Sequence, residues 1–566
     1  MNKKGIIFLL VLFSIFPIYA TDSSFYFFVY FKDKTNSSFN IQQPEKFLSV
    51  KSIERRKKRG IPINESDLPI NQHYLEILKK IDQIQIIHTS KWLNATMVKT
   101  SNKNLFEQHI KNLDFVIKTE YLADIKNQKK TEIHTPEEKA NSSNLIHIDT
   151  FKNATDYWGK AYDQNNMIGA CNKKFTGKGM TIAIFDAGFF MAYKTKGMQN
   201  LLEINTITKD FIDFDNSVWE DDKHGANCLS FMKTFNPGTY VGTAPDARYV
   251  LIRTEDAHNE SLVEEVNWLI AAEFSDSIGV DIISSSLGYN QFDLIETNHT
   301  YKDLDGKTTI IAKAAEMAYA KGIAVINSAG NEGLSKWQKI GTPADAPNVI
   351  TIGSVDKQGY YSTFSSKGFN NTPNLKPDFV AMGQKAVVAS PSGTYTGNGT
   401  SYSTPIFAGA FACLMQAFPN TDIYLLKNAL KQSASHYNNP DTLYGYGIPD
   451  FELAMMFLGE FKNPSDTLND FLYINDKSTF YQYLPLHFWS KTNQNVTFSF
   501  TIRGKRKVKT LPPIQINVGE NSWLHSYHVT ETLNQLSKKQ RKKYNQLEVI
   551  FQSNNMTSIR TFSINK

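Results

Sequence analysis

Residues 322–333 read GIAVINSAGNEG. Ile323 to Ile326 are apolar without alternation, which predicts a short strand buried on both faces. The strand runs into a turn of small residues that presents Asn331 between two glycines. In front of it, TIIAKAAEMAYAKG (309–322) has helical spacing and stops at a glycine. Behind it, VITIGSV (349–355) is another β-branched run. The alternation continues outward. MTIAIF (180–185), RYVLIR (248–253) and GVDIISSS (279–286) read as strands, and SLVEEVNWLIAAEF (261–274) as a helix. Near-continuous apolar strands joined by helices predict an α/β domain over 150–458, a parallel sheet with helices on both faces.

The chain has 566 residues, too many for one core. A 41% hydrophobic and 20% charged composition is globular and excludes a disordered or collagenous class. The formal charge of +6 is small for this length and gives no ground for a nucleic-acid partner. The basic runs ERRKKR (54–59) and KKQRKK (538–543) read as solvated helix faces. Lys3 and Lys4 precede an apolar run from Ile6 to Ile18 that closes at Ala20, the pattern of a signal peptide over 1–20. The run is too short to span a bilayer, and no other stretch reaches the required length. The expected location is therefore secreted, cell-surface or periplasmic, with no transmembrane segment in the mature chain. Three cysteines, a low and odd number, predict no disulfide framework.

Residues 21–120 predict a small α+β domain. FYFFVYF (25–31), IQIIH (84–88), WLNATMVK (92–99) and DFVIK (114–118) read as strands. Helical spacing covers 44–59, the region from Tyr74 to Ile81, and 103–112. The order suggests a split βαβ, ferredoxin-like unit. The polar, aperiodic segment 121–149 reads as a linker that carries a maturation site. In 465–566, Val496, Phe498, Phe500 and Ile502 alternate with polar residues, which predicts a β-rich, sandwich-like C-terminal domain.

Four polar residues stand where an α/β domain builds its site. Asp186 follows the strand MTIAIF. His224 precedes Gly225 at the start of an apolar helix. Asn331 sits on the glycine turn. Ser401 lies in GTSYSTP (399–405), ahead of the helical run IFAGAFACLMQAF. Each has a bland alternative as a turn former, cap or packed residue. Together, FDAGF, HGANCLS, SAGNEG and GTSYSTP, in that order, resemble the motifs of the subtilisin-like serine proteases (subtilases, peptidase S8). VGTAPDARY, SSSLG, GTPADAPNVITIGSVD, KPDFVAMG and GYGIPD extend the resemblance over most of 175–455. The N-terminal unit resembles the family's inhibitory propeptide more loosely.

The resemblance implies roles. Ser401 is the nucleophile, His224 the general base and then acid, and Asp186 the group that orients the imidazole. Asn331 and the Ser401 backbone N–H form the oxyanion hole. Loss of such an asparagine in this family costs about 10²–10³ in turnover. Ser286, Leu287, Gly288, Ala329 and Gly330 line the edge where an extended polypeptide substrate adds as a strand. The implied protein is a secreted, self-processing zymogen acting as a monomer on polypeptide substrates, with its own propeptide as intramolecular inhibitor. No cofactor is required. Asp210, Asp213, Asp215, Asp221 and Asp222 could supply oxygen ligands, but their spacing fits no calcium loop and reads as a solvated acidic loop; a structural calcium is allowed only by the resemblance. Tyr402 replaces the methionine usual after the nucleophile, so activity should tolerate mild peroxide. Tyr289, where small residues are common, is expected to narrow the cleft. Cys228 lies one helical turn after His224, so mercurials should inhibit. Two other readings compete. One is an acid-active carboxyl peptidase on this fold, against which His224 and Asn331 speak. The other is a catalytically silent surface binding or adhesion protein on the same scaffold.

Overall fold

The computed structural model describes residues 23–126 except 36, and residues 154–459 except 172–173, 203–205 and 370–374. Beyond these it describes 471–474, 486–490, 492–504, 507–518, 522–524, 546–554 and 557–563. The expected signal peptide, most of the expected linker and the run KKQRKK lie outside the described residues.

The N-terminal unit is built on β1 (Ser23–Phe31), α1 (Val50–Lys58), α2 (Gln72–Lys79), β2 (Ile84–Ser90), β3 (Ala95–Thr100) and β4 (Val116–Lys126). Its antiparallel sheet has the order β2-β3-β1-β4, the ferredoxin-like arrangement. FYFFVYF is apolar at every position because both faces of β1 are covered. Phe27, Val29 and Phe31 enter a core with Leu75, Leu78, Phe106 and Ile110. Phe28 faces the other way and joins Met97 and Leu122 against residues of the central domain such as Val266 and Leu269.

Two expectations are corrected here. Helical structure from 44 to 59 is interrupted: Ser49 is an N-cap whose side chain accepts from Ser52 N, and α1 begins only at Val50. The expected linker start at 121 falls inside β4. That strand pairs with β1 out to Lys126, because Leu122 and Ala123 are buried.

The central sheet consists of β5 (Thr181–Asp186), β6 (Ile207–Asp210), β7 (Arg248–Arg253), β8 (Ile282–Ser285), β9 (Ala324–Ser328), β10 (Ile350–Val355) and β11 (Phe379–Met382). All seven are parallel, in the order β11-β10-β9-β8-β5-β7-β6. The longer helices are α3 (His224–Lys233), α4 (Leu262–Ile278), α5 (Ile310–Ala320), α6 (Thr400–Ala417), α7 (Ile423–Ser433) and α8 (Phe451–Gly459). The two-residue period of a strand assigns side chains to opposite cores. Ile182, Ile184, Ala324 and Ile326 pack with α3 and α6. Ala183, Phe185, Ile283 and Val325 pack with α4 and α5. The expected α/β class, with helices on both faces, is the observed one.

The C-terminal stretches form two antiparallel sheets. One joins 508–518, 494–503, 546–552 and 557–563, and the other joins 471–474, 486–490 and 522–524. Val496, Phe498, Phe500 and Ile502 are buried, as their alternation requires. The Phe488 and Phe551 rings, one from each sheet, lie 4.9 Å apart.

Candidate active site

Parallel strands deliver their following turns to one end of the sheet, and the four candidate residues converge there. Asp186 is the last residue of β5 and is wholly buried. His224 opens α3. Its Nδ1 lies 2.9 Å and 3.0 Å from the two Asp186 carboxylate oxygens. Gly225 makes this approach sterically feasible, since a Cβ there would stand 2.4 Å from Gly188 O and 2.9 Å from Asp186 Cβ. The backbone N–H of His224 donates to Asp222 Oδ1 at 2.6 Å, which steadies the helix start. The Asp186 charge holds the His224 imidazole well above its usual pKa, against the opposing effect of burial. The His224 side chain is still 34% exposed, so its outer nitrogen is reachable from the cleft.

Ser401 lies in the first turn of α6, where backbone N–H groups are unsatisfied and the helix dipole is positive. It is 8% exposed. Its hydroxyl donates to Ser286 O at 3.3 Å rather than to His224. Ser286 Oγ in turn donates to Ser401 O at 3.0 Å, and Cys228 Sγ to the same oxygen at 3.4 Å. Asn331 follows β9. Its Oδ1 accepts from Thr400 N at 3.0 Å and Thr400 Oγ1 at 3.1 Å. With Oδ1 tied to the start of α6, the Asn331 amide nitrogen is the free-facing donor; it stands near Gly399, 3.9 Å from where a Cβ would be. Thr400 is thus a positioning residue that the sequence reading passed over, although it stands beside Ser401 in the same motif.

The proposed substrate edge is also assembled. Leu287 O accepts from Asn327 Nδ2 at 2.8 Å. Gly288 is exposed, Ala329 is buried, and Gly330 N donates to Thr400 Oγ1 at 3.2 Å. Tyr289 does not narrow the cleft. It is 1% exposed, its ring points inward and its hydroxyl donates to Glu255. Its backbone pairs with Thr342 in both directions, at 2.9 Å and 3.0 Å. Tyr402 stands beside the histidine, with ring centroids 6.4 Å apart, and against Phe231.

The acidic run is not organised around a metal. Arg253, at the end of β7, places Nη1 3.0 Å from Asp210, 2.6 Å from Asp213 and 3.3 Å from Asp221. A guanidinium already supplies the positive centre these three carboxylates share, so the donor set does not fit a calcium ion there. Burial lifts the Asp221 carboxyl to about 6 despite Arg253, with Asp210, Glu220 and Asp213 adding to the rise. A cavity of about 820 Å³ separates these loops from the N-terminal sheet. Met97, Lys99 and Ile125 line it on one side, and Asp221, Asp222 and Asp256 on the other. Among the described residues no helix is long and apolar enough to cross a membrane.

Comparison with known proteins agrees with this geometry. Residues 177–447 match the model of the subtilase family (peptidase S8), and residues 26–139 match the peptidase S8 propeptide domain of Bacteroidota. The chain is 28% identical over 308 residues to the serine protease AprX of Bacillus subtilis (strain 168), covering 49% of this chain and 66% of AprX. It is 29% identical over 234 residues to subtilisin DY of Bacillus licheniformis, covering 41% of this chain and 77% of that protein. The crystal structure of the epidermin leader peptide processing serine protease EpiP from Staphylococcus aureus superposes with a TM-score of 0.52 at 18% identity, over 77% of this chain and 99% of that one. That likeness concerns the fold. The motifs, the parallel sheet that presents them and the two family matches place residues 177–447 in the subtilase family of serine endopeptidases, with a peptidase S8 propeptide domain over 26–139 ahead of them.

Proposed function

We propose that the chain is the zymogen of an exported serine endopeptidase that processes itself and then cleaves polypeptides through Ser401, His224 and Asp186. The observation that carries this reading is the 2.9 Å Asp186–His224 contact at the same end of the sheet as the start of α6. Asp186 fixes the imidazole with Nδ1 inward, which leaves Nε2 to take the Ser401 proton. The Ser401 hydroxyl turns from Ser286 O toward His224 as substrate enters. Its oxygen then attacks the scissile carbonyl, and the resulting oxyanion takes hydrogen bonds from Asn331 Nδ2 and Ser401 N–H. His224 returns the proton to the leaving amine, and water, activated in the same way, releases the acyl group. The substrate lies extended along Ser286–Gly288 and Ala329–Gly330.

The position of β4 supports the self-processing part of this reading. Ile125, next to its last residue, lines the same cavity as Asp222, two residues ahead of His224. On this reading the chain that leaves β4 at Lys126 starts from that cavity, and the cut falls within 127–149. The basic and apolar N-terminus supports export by a signal peptide over 1–20. No cofactor takes part in these steps.

A fluorophosphonate probe on the processed protein tests the reading. Labelling that disappears in Ser401→Ala establishes the activated serine. Absence of labelling in folded, processed wild type refutes it.

A further inference from the structure

The N-terminal domain touches the catalytic domain along a seam with two parts, which meet where Lys91 Nζ donates to Ser277 Oγ at 2.7 Å. One is a sheet-on-helix contact: Phe28, Met97 and Leu122 cover α4 and α5. There Glu273 accepts from Ser90 Oγ at 2.5 Å, Lys91 N at 2.9 Å and Trp92 N at 3.0 Å. The other lies at the opposite end of the central sheet from Ser401 and is made by α1. Of the basic run ERRKKR, expected to be solvated, Glu54, Lys57 and Lys58 are exposed, and Arg55 and Arg56 form the core of this contact. Arg55 and Arg56 are 5% and 1% exposed.

Every partner of the Arg55 side chain but one belongs to the catalytic domain. Its Nη2 pairs with Asp276, its Nη1 donates to Val280 O at 2.5 Å and its Nε to Lys321 O at 3.3 Å; the exception is Ser52 Oγ, on α1 itself, at 3.4 Å from Nη2. Arg56 pairs with Asp276 Oδ2 at 2.6 Å and with Asp67, on its own domain, at 2.8 Å. Lys321 returns across the boundary to Asp67 Oδ1 at 2.9 Å and Ser66 Oγ at 2.5 Å. Lys51 reaches Asp281 Oδ2 at 2.8 Å and Thr181 Oγ1 at 2.6 Å. Ser49 N donates to Ser277 O at 2.8 Å. Thr181 starts β5, Asp281 precedes β8 and Lys321 precedes β9, so α1 grips the starts of three neighbouring strands. Along β5 this lies about 16 Å from Asp186. Two glycines admit the helix. Gly279 ends α4 at φ +86°, and a Cβ on it would stand 2.7 Å from Lys51 Cβ; Gly322 follows α5 at φ +85°, with Ile61 Cδ1 at 2.8 Å.

From this arrangement we propose that the strand-start end of the catalytic domain is a second docking surface for the chain's own N-terminal domain, and that it holds that domain independently of the cleft. Resting on the zymogen reading, the inference divides the propeptide's work. The β4 side blocks the site, and α1 retains the blocker after the linker is cut. The surface is specific for an arginine-bearing helix. It offers two carboxylates, Asp276 and Asp281, and the carbonyls of Val280, Lys321 and Gly322, all of which suit the donor fork of a guanidinium or an ammonium. A pair this buried is screened little by salt.

The test separates retention from catalysis. The full chain is made as Ser401→Ala with a foreign protease site placed within 127–149, cut with that protease and followed by size-exclusion chromatography. The two pieces should co-elute, and salt should change their separation little. Arg55→Ala, whose side chain serves mainly the boundary, should make dissociation at least about 30-fold faster, and Asp276→Asn should do the same from the other side. Pieces of both variants that part at the wild-type rate overturn the proposal. If Arg55→Ala does not fold, Arg55→Lys decides it. That variant keeps the charge and loses the fork, so faster parting supports the proposal and an unchanged rate overturns it. Because Ser401 is absent throughout, failure here is distinct from failure of the protease reading.

Discussion

The two ends of the central sheet are built from different materials. Where the strands finish stand short polar turns: Asp186 after β5, Ser286 to Gly288 after β8 and Asn331 after β9. Where they start stand Thr181, Asp281 and Lys321, covered by α1. The finishing end keeps groups partly reachable, with His224 34% exposed. The starting end buries its charges, with Arg55 and Asp276 almost sealed from water. Chemistry needs a group that a substrate can approach; retention needs one that water cannot. Position along a strand therefore separates turnover from holding, and substitutions at the two ends should have opposite signatures.

The largest expected effect is at Asp186. Asp186→Asn should lower kcat about 10⁴-fold, because the amide favours the wrong imidazole tautomer. The pH profile carries the same information. Asp186 raises the His224 pKa, and the base works only when neutral, so wild-type activity should fall as pH drops through a value above the ordinary 6.5. In Asp186→Asn the residual activity should keep its level down to lower pH. A wild-type acid limb below pH 6 would break the assignment. Retention of the N-terminal piece should not change, and a change would break the separation between the two ends.

Asn331→Ala comes next, with kcat reduced about 10²–10³-fold and KM little altered. Thr400→Val removes the hydroxyl that holds Asn331 Oδ1 at 3.1 Å while leaving the 3.0 Å backbone bond. One hydrogen bond of this kind is worth about 0.5–1.5 kcal/mol, so kcat should fall about 2- to 12-fold. Added to Asn331→Ala, the same change should cost only what the Gly330 N–H bond to Thr400 Oγ1 contributes, less than in the wild-type background. A full additive loss would mean that Thr400 acts by another route.

The finishing end was legible in the sequence because its chemistry is local. Each polar residue follows its own apolar run, and a parallel sheet must bring such turns together. The starting end was not legible, for a physical reason. ERRKKR has the charge of a solvated face, and only tertiary contact shows that Arg55 meets Asp276, 221 residues further along the chain. Tyr289 misled similarly. Its bulk suggested a narrowed cleft, but the side chain turns inward because a buried acceptor, Glu255, awaits its hydroxyl. Arg253 is the third case. The acidic run reads as a solvated loop, but three of its carboxylates meet a side chain from β7.

Cys228 tests how closely the finishing end is packed. Its Sγ lies 3.9 Å from His224 Nδ1 and it is wholly buried, with burial raising the thiol pKa. A mercurial that reaches it displaces the imidazole, so wild-type activity should be lost slowly and almost completely. Cys228→Ala should resist while keeping kcat within a few fold. Equal inhibition of both would place the sensitive thiol at Cys171 or Cys413.

The smallest effect concerns Glu255, which lies just past β7 at the same finishing end but is assigned no part in turnover. Burial, with Glu260 nearby, lifts its carboxyl from 4.5 to about 8, although Tyr289 donates to it. A raised acid is protonated in the folded state at pH values where the unfolded chain has already lost the proton. Its penalty is absent below about 4.5 and grows as pH climbs toward 8. Glu255→Gln keeps an acceptor for Tyr289 and removes the ionisation. The variant should match wild type in Tm at pH 4 and exceed it by a few degrees at pH 8, with kcat unchanged. A Tm gap that does not widen with pH would mean that Glu255 is already compensated. A fall in kcat would enlarge the catalytic end of the sheet by one residue, since Glu255 would then act on His224 through the field it shares with Asp186.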